Sequence, residues 1–181
     1  MAQSFLNIPG LPRGLRNNNP GNLRVLPGGQ KWLGEIDPDP DGFSRFSDIA
    51  YGLRAMITDI AGDIMKDGRN TIRKLIYAYA PPYENQTEAY INNLAAYTGI
   101  NPDSIITASR ETIDKLIHGQ LNIELGANYA AKISPNDFTE AFSRVGSQVA
   151  AWLGTPAGMV AGSSFLLILL GIGIYLFSRR R

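Results

Sequence analysis

The chain has no cysteine. That excludes a disulfide framework, a thiol nucleophile and cysteine-ligated zinc or iron–sulfur centres. It has one histidine, His118, so a histidine-rich metal site is excluded and any Ser-His-Asp triad must use that residue. Charge is sparse too: 18% of residues are charged, against about 25% in average soluble domains. Neither sign prevails, with 17 Lys+Arg against 16 Asp+Glu. Three of the basic residues are the last three, Arg179, Arg180 and Arg181, and the rest of the chain is slightly acidic. A basic nucleic-acid-binding domain is not indicated. No secretory leader is expected either, since residues 1–22 are interrupted by Pro9, Pro12 and Pro20 and hold no long apolar stretch.

What is present begins at the other end. Ala157 to Phe177 is an uncharged run of 21 residues. As a helix it would measure about 31 Å, the thickness of a bilayer's hydrocarbon core. Tyr175 sits at the far edge and the three arginines stop the run. The expectation is a transmembrane helix over 157–178 with a basic tail over 179–181.

Before it, residues 1–30 are rich in Gly, Pro and Asn and read as an ordered loop. Gly42 to Phe46 alternates like a short strand or hairpin. Apolar spacing predicts helices over about 48–67, 71–79, 88–98 and 109–125, with Asp48 and Thr87 as caps. A short helix is expected near Asn101–Ile106, and an amphipathic helix over 134–153. The organisation read from this is a domain over 1–126, a connector helix over 127–156, then the span and the tail.

Five segments carry a resemblance: RGLRNNNPGNLR (13–24), WLG (32–34), DGFSRF (41–46), YGLRA (51–55) and APPYENQTEAYI (80–91). In order and spacing they resemble the small lysozyme-like domains of phage virion and lysis proteins. The resemblance implies a mainly α, lysozyme-like α+β domain with a small β-hairpin, followed here by one C-terminal transmembrane helix. It also implies a cleft for a glycan strand and a peptidoglycan-degrading, transglycosylase-like activity.

Cleavage of a β-1,4 glycosidic bond needs a carboxylic acid to protonate the leaving oxygen and a means to stabilise an oxocarbenium-like transition state. Two glutamates are candidates. Glu35 follows Trp32 and stands near Asp37, Asp39 and Asp41; Glu84 lies between two predicted helices beside Tyr83. Glu124 and His118 read as structural. Asn17, Asn18, Asn19, Asn22, Asn85 and Thr87 are candidate hydrogen-bonding partners of the sugar, or simply turn formers. Trp32, Tyr83 and Tyr90 are candidate stacking platforms, or core. Arg16, Arg24 and Arg54 could pair with carboxylates of peptide stems.

Asp37, Asp39, Asp41 and Gly42, followed by Asp48, match the spacing of a calcium loop. Pro38, Pro40 and the missing preceding helix depart from an EF-hand, so an acidic turn competes with that reading. No cofactor is required; calcium is optional.

The first functional expectation is therefore a membrane-anchored phage virion enzyme that cleaves peptidoglycan glycan strands. The expected location is a virion internal membrane, reached through the host inner membrane during assembly. The expected partners are peptidoglycan, a lipid bilayer, capsid proteins, and packaged nucleic acid near Arg179–Arg181. The alternatives are a non-catalytic protein that binds peptidoglycan or capsid, and an endopeptidase, for which no HExxH motif or triad is present.

Overall fold

A computed structural model describes residues 1–154. The elements are, in order, α1 (Arg13–Arg16), β1 (Glu35–Ile36), β2 (Arg45–Phe46), α2 (Ile49–Met65), α3 (Ile72–Tyr79), α4 (Thr87–Thr98), α5 (Arg110–Leu125), α6 (Ala127–Ala130), α7 (Pro135–Ser143) and α8 (Ser147–Trp152).

Helix α2 is the centre. Asp48 caps it by accepting from the Tyr51 N–H at 3.1 Å. It buries Ile49, Leu53, Met56, Ile57, Ile60 and Ile64, and also Gly52, Asp59 and Asp63. Helices α3, α5, α7 and α8 and strand β2 pack around it. Thr71 and Ser109 cap α3 and α5 in the same way as Asp48 caps α2. Gly99 closes α4 in the left-handed conformation, φ 70°.

The hairpin is small. β1 and β2 are antiparallel, with Glu35 opposite Phe46 and Ile36 opposite Arg45. An isolated bridge pairs Arg24 with Phe43. The asparagine run is what ties the loop to this hairpin. Asn18 donates to the Phe46 carbonyl, and Asn19 donates to the carbonyls of Leu23 and Ser44. Asn18 is fully buried at φ 49°, a backbone state asparagine tolerates better than most residues. Gly52 makes room for this loop: a Cβ there would stand 1.9 Å from the Asn18 carbonyl oxygen.

Four expectations change. First, the fold class, a lysozyme-like domain followed by a transmembrane helix, is corrected. The described residues form a mainly helical unit with a two-stranded hairpin, and none of their helices is long and apolar enough to cross a membrane. The longest, α2, has 17 residues and carries Arg54, Asp59 and Asp63. The span placed at 157–178 and the tail at 179–181 lie outside the described residues. Second, the core does not stop at residue 126. Phe138, Phe142, Val145, Val149 and Leu153 belong to the same buried cluster, so 127–154 is integral to the domain. The single helix expected over 134–153 is two, parted at Arg144–Gly146. Third, no helix forms at 101–106; Asp103 instead pairs with Arg73 at 2.7 Å, and the Ile106 N–H bonds to the Asn70 carbonyl. Fourth, Thr87 is inside α4 and does not cap it; its hydroxyl donates to the Ala80 carbonyl and ties the α3–α4 loop together.

Candidate active site

A groove of about 670 Å³ runs between the N-terminal loop with its hairpin on one side and the α3–α4 loop on the other. Its lining includes Arg13, Asn22, Arg24, Trp32 and Phe43 from the first side, and Tyr79, Tyr83, Glu84 and Asn85 from the second. Asp59 of α2 and Glu124 of α5 complete it. Three carboxylates from three separate elements thus share one depression.

Glu124 is the most firmly held. Asn22 donates to its Oε2 at 3.0 Å, and the Tyr90 hydroxyl donates to its Oε1 at 2.9 Å. Two donors on two oxygens hold the carboxyl group in one orientation. Burial pushes the Tyr90 phenol well up, and the neighbouring Tyr79 and Glu124 push it in the same direction. Tyr90 therefore stays a neutral donor. Tyr79 meets Tyr90 edge-on, ring centres 6.0 Å apart, and its hydroxyl donates to the Gly21 carbonyl, bracing the asparagine loop against α3.

Glu84 contrasts with this. It lies on the exposed α3–α4 loop, next to Tyr83, which is 75% exposed. Two prolines start the loop, and the backbone N–H groups of Glu84 and Asn85 both bond to the Pro81 carbonyl. The loop is thus a closed turn that presents Tyr83 and Glu84 to the groove.

Glu35 is placed elsewhere. It is not among the lining residues, and both its oxygens are used within the hairpin. Oε2 accepts from the Trp32 N–H at 2.7 Å and Oε1 from the Ser44 hydroxyl at 2.8 Å. Trp32 lines the groove, and its indole N–H is buried with no hydrogen-bond partner among the described residues. Of the asparagines, Asn22 and Asn85 line the groove. Asn17, Asn18 and Asn19 are buried in the loop–hairpin junction, where Asn17 donates to Asp39 Oδ2 at 2.7 Å. Thr87 is buried as well.

The calcium reading is corrected. Among the described residues no group of three or more His, Cys, Asp or Glu side chains could hold a metal ion. The four aspartates do separate jobs. Asp39 Oδ1 accepts from the N–H groups of Asp41 and Phe43, folding the turn before β2. Burial works to raise its pKa, but those N–H groups, Asn17 and the charge of Arg13 outweigh this and leave it lowered. Asp48 caps α2 and pairs with Arg144 at 2.6 Å. Asp37 and Asp41 point into solvent. His118 stacks on Phe138 at 4.2 Å, away from the groove, and has a structural place.

Sequence reading missed the groove roles of Glu124, Asp59, Tyr79, Arg13 and Phe43. No local signal marks them, because each lies inside a helix, turn or strand pattern that packing alone explains.

No family model matches the chain. It belongs to a family of phage proteins. The relative that shows this is Protein P5 of Pseudoalteromonas phage PM2, 38% identical over 119 residues, which span 64% of this chain and 72% of the relative.

Proposed function

We propose that this protein cleaves the glycan strands of bacterial peptidoglycan in the groove, as a lytic transglycosylase or muramidase. The observation that carries the reading is the pairing in one groove of an exposed loop carboxyl group, Glu84, with a clamped one, Glu124. The likeness of the 13–24 and 80–91 segments to peptidoglycan-degrading phage domains supports it. The phage relative fits it too, since a phage must breach the wall to enter or leave its host.

In this reading a strand lies along the groove, with a sugar face against Tyr83. Glu84 then serves as the general acid over the bound strand. Glu84 gives its proton to the glycosidic oxygen, the bond to the anomeric carbon breaks, and the leaving sugar departs as an alcohol. Positive charge at the anomeric carbon is stabilised by Glu124, whose position Asn22 and Tyr90 fix beforehand. The ionised Glu84 then takes a proton from the attacking hydroxyl. If that hydroxyl is the sugar's own, the product is an anhydro sugar; if it is water, the product is a reducing end.

Mass spectrometry of purified cell walls digested with the full chain tests this. Anhydromuropeptides or new reducing ends are expected. Free stem-peptide amines would mean a peptidase. Cosedimentation with walls and no products at all would mean a binding protein.

A further inference from the structure

The cleavage steps leave one wall of the groove unused. The Arg13 guanidinium carbon lies 3.7 Å from the ring centre of Phe43, and that of Arg24 lies 4.6 Å from the same centre. Two like charges converge on one aromatic ring, and little acid offsets them. Asp41, 73% exposed, approaches Arg13 at 3.8 Å, a loose contact. Arg24 donates only to the Asp41 backbone carbonyl, at 3.3 Å, and forms no ion pair among the described residues. Arg13 also reaches Asn22, at 3.5 Å, and so connects through Asn22 to Glu124.

We propose that Arg13 and Arg24 form a carboxylate-recognising subsite. It selects strands carrying a pendant carboxylate, as the stem peptide of peptidoglycan does, and the lactyl ether once its peptide is removed, over neutral β-1,4-linked N-acetylglucosamine chains. The inference rests on the glycan-cleaving reading and adds to it the feature of the strand that is read. A planar guanidinium matches a carboxylate with two parallel N–H bonds. Stacking on Phe43 orients both guanidinium groups before any ligand arrives, which lowers the ordering cost of binding. The rest of the groove is acidic, with Glu84, Glu124 and Asp59, so a pendant carboxylate has one favourable wall to face. That preference fixes the register of the strand and hence which glycosidic bond reaches Glu84. The other arginines expected from sequence do not serve here. Arg16 does not line the groove. Arg54 is partly buried and its Nε donates to the Arg144 carbonyl.

The test is calorimetric binding with the full chain carrying Glu84→Gln, so that strands are not consumed. Three ligands of matched length are compared: peptide-bearing strands, strands stripped of peptide by an amidase but keeping the lactyl carboxylate, and N-acetylglucosamine oligomers. Peptide-bearing strands are expected to bind at least about tenfold more tightly than the neutral oligomers, about 1.4 kcal/mol. A margin lost on stripping makes the peptide the source of the carboxylate that is read; a margin kept by stripped strands means that the subsite also accepts the lactyl carboxylate which the amidase uncovers. Arg13→Gln with Arg24→Gln, which removes both guanidinium groups from Phe43, is expected to erase the margin between peptide-bearing strands and neutral oligomers. Equal binding of all three ligands, or a margin that survives in the double variant while its melting curve shows it folded, overturns the inference alone. Binding of no strand at all overturns the glycan reading with it.

Discussion

Asn22 donates a hydrogen bond to Glu124 at 3.0 Å across 102 residues of sequence. It does so from a left-handed backbone, φ 47°, set by the turn that Pro20 and Gly21 help to form. The same carboxamide accepts from Arg13. One loop residue therefore sets both the position of a groove carboxylate and its link to the cationic wall.

Tyr90→Phe removes the second donor to Glu124. The ring and its contact with Tyr79 remain, so stability is expected to fall by only about 0.5–1.5 kcal/mol. Activity on cell walls is expected to fall through kcat more than KM, because the lost bond orients a group that acts on the developing charge. Kinetics on solubilised strands, beside a thermal melt, check this. Unchanged kcat would remove Glu124 from the reaction.

Gly52→Ala probes the seat of the asparagine loop. The added methyl would overlap the Asn18 carbonyl, so α2 or the loop must move. A loss of about 1–3 kcal/mol in denaturant unfolding is expected, the usual cost of overpacking. A neutral result would show that the loop is not anchored there.

Asp39 gives a pH dependence with a defined sign. Its folded-state pKa is lowered, so its ionised form stabilises the fold fully above the ordinary aspartate range. That contribution is lost as pH falls through the lowered value. Asp39→Asn is expected to lower Tm at neutral pH, with the gap to the unaltered protein closing in strong acid. A gap that stays constant with pH would mean the carboxylate charge has no part in holding the turn.

Much of the helical frame could be read from the sequence. Ile49, Leu53, Met56, Ile60 and Ile64 repeat at helical spacing, and Asp48 marks the start of that helix through its local chemistry. The break at Arg144–Gly146 was hidden, because Phe138, Phe142, Val145 and Val149 keep helical spacing through it. The candidate groove was legible only on its loop side. Glu84 sits among turn residues that already looked unlike core, whereas Glu124 lies at an ordinary helical position and gains its place from Asn22 and Tyr90, both distant in sequence. Glu35 drew notice because Trp32 is near. That proximity is real, but the contact is a backbone N–H closing a turn and consumes the carboxylate.

The most direct test of the account compares Glu84→Gln with Glu35→Gln in the mass-spectrometric analysis of digested cell walls. Glu84→Gln is expected to keep the melting temperature and lose at least about a hundredfold of the glycan products, the scale of a missing general acid. Glu35→Gln is expected to melt earlier, since its amide nitrogen cannot accept and either Trp32 or Ser44 loses its acceptor, yet to yield the same products while folded. Full product yield from Glu84→Gln, with none from folded Glu35→Gln, would contradict the account.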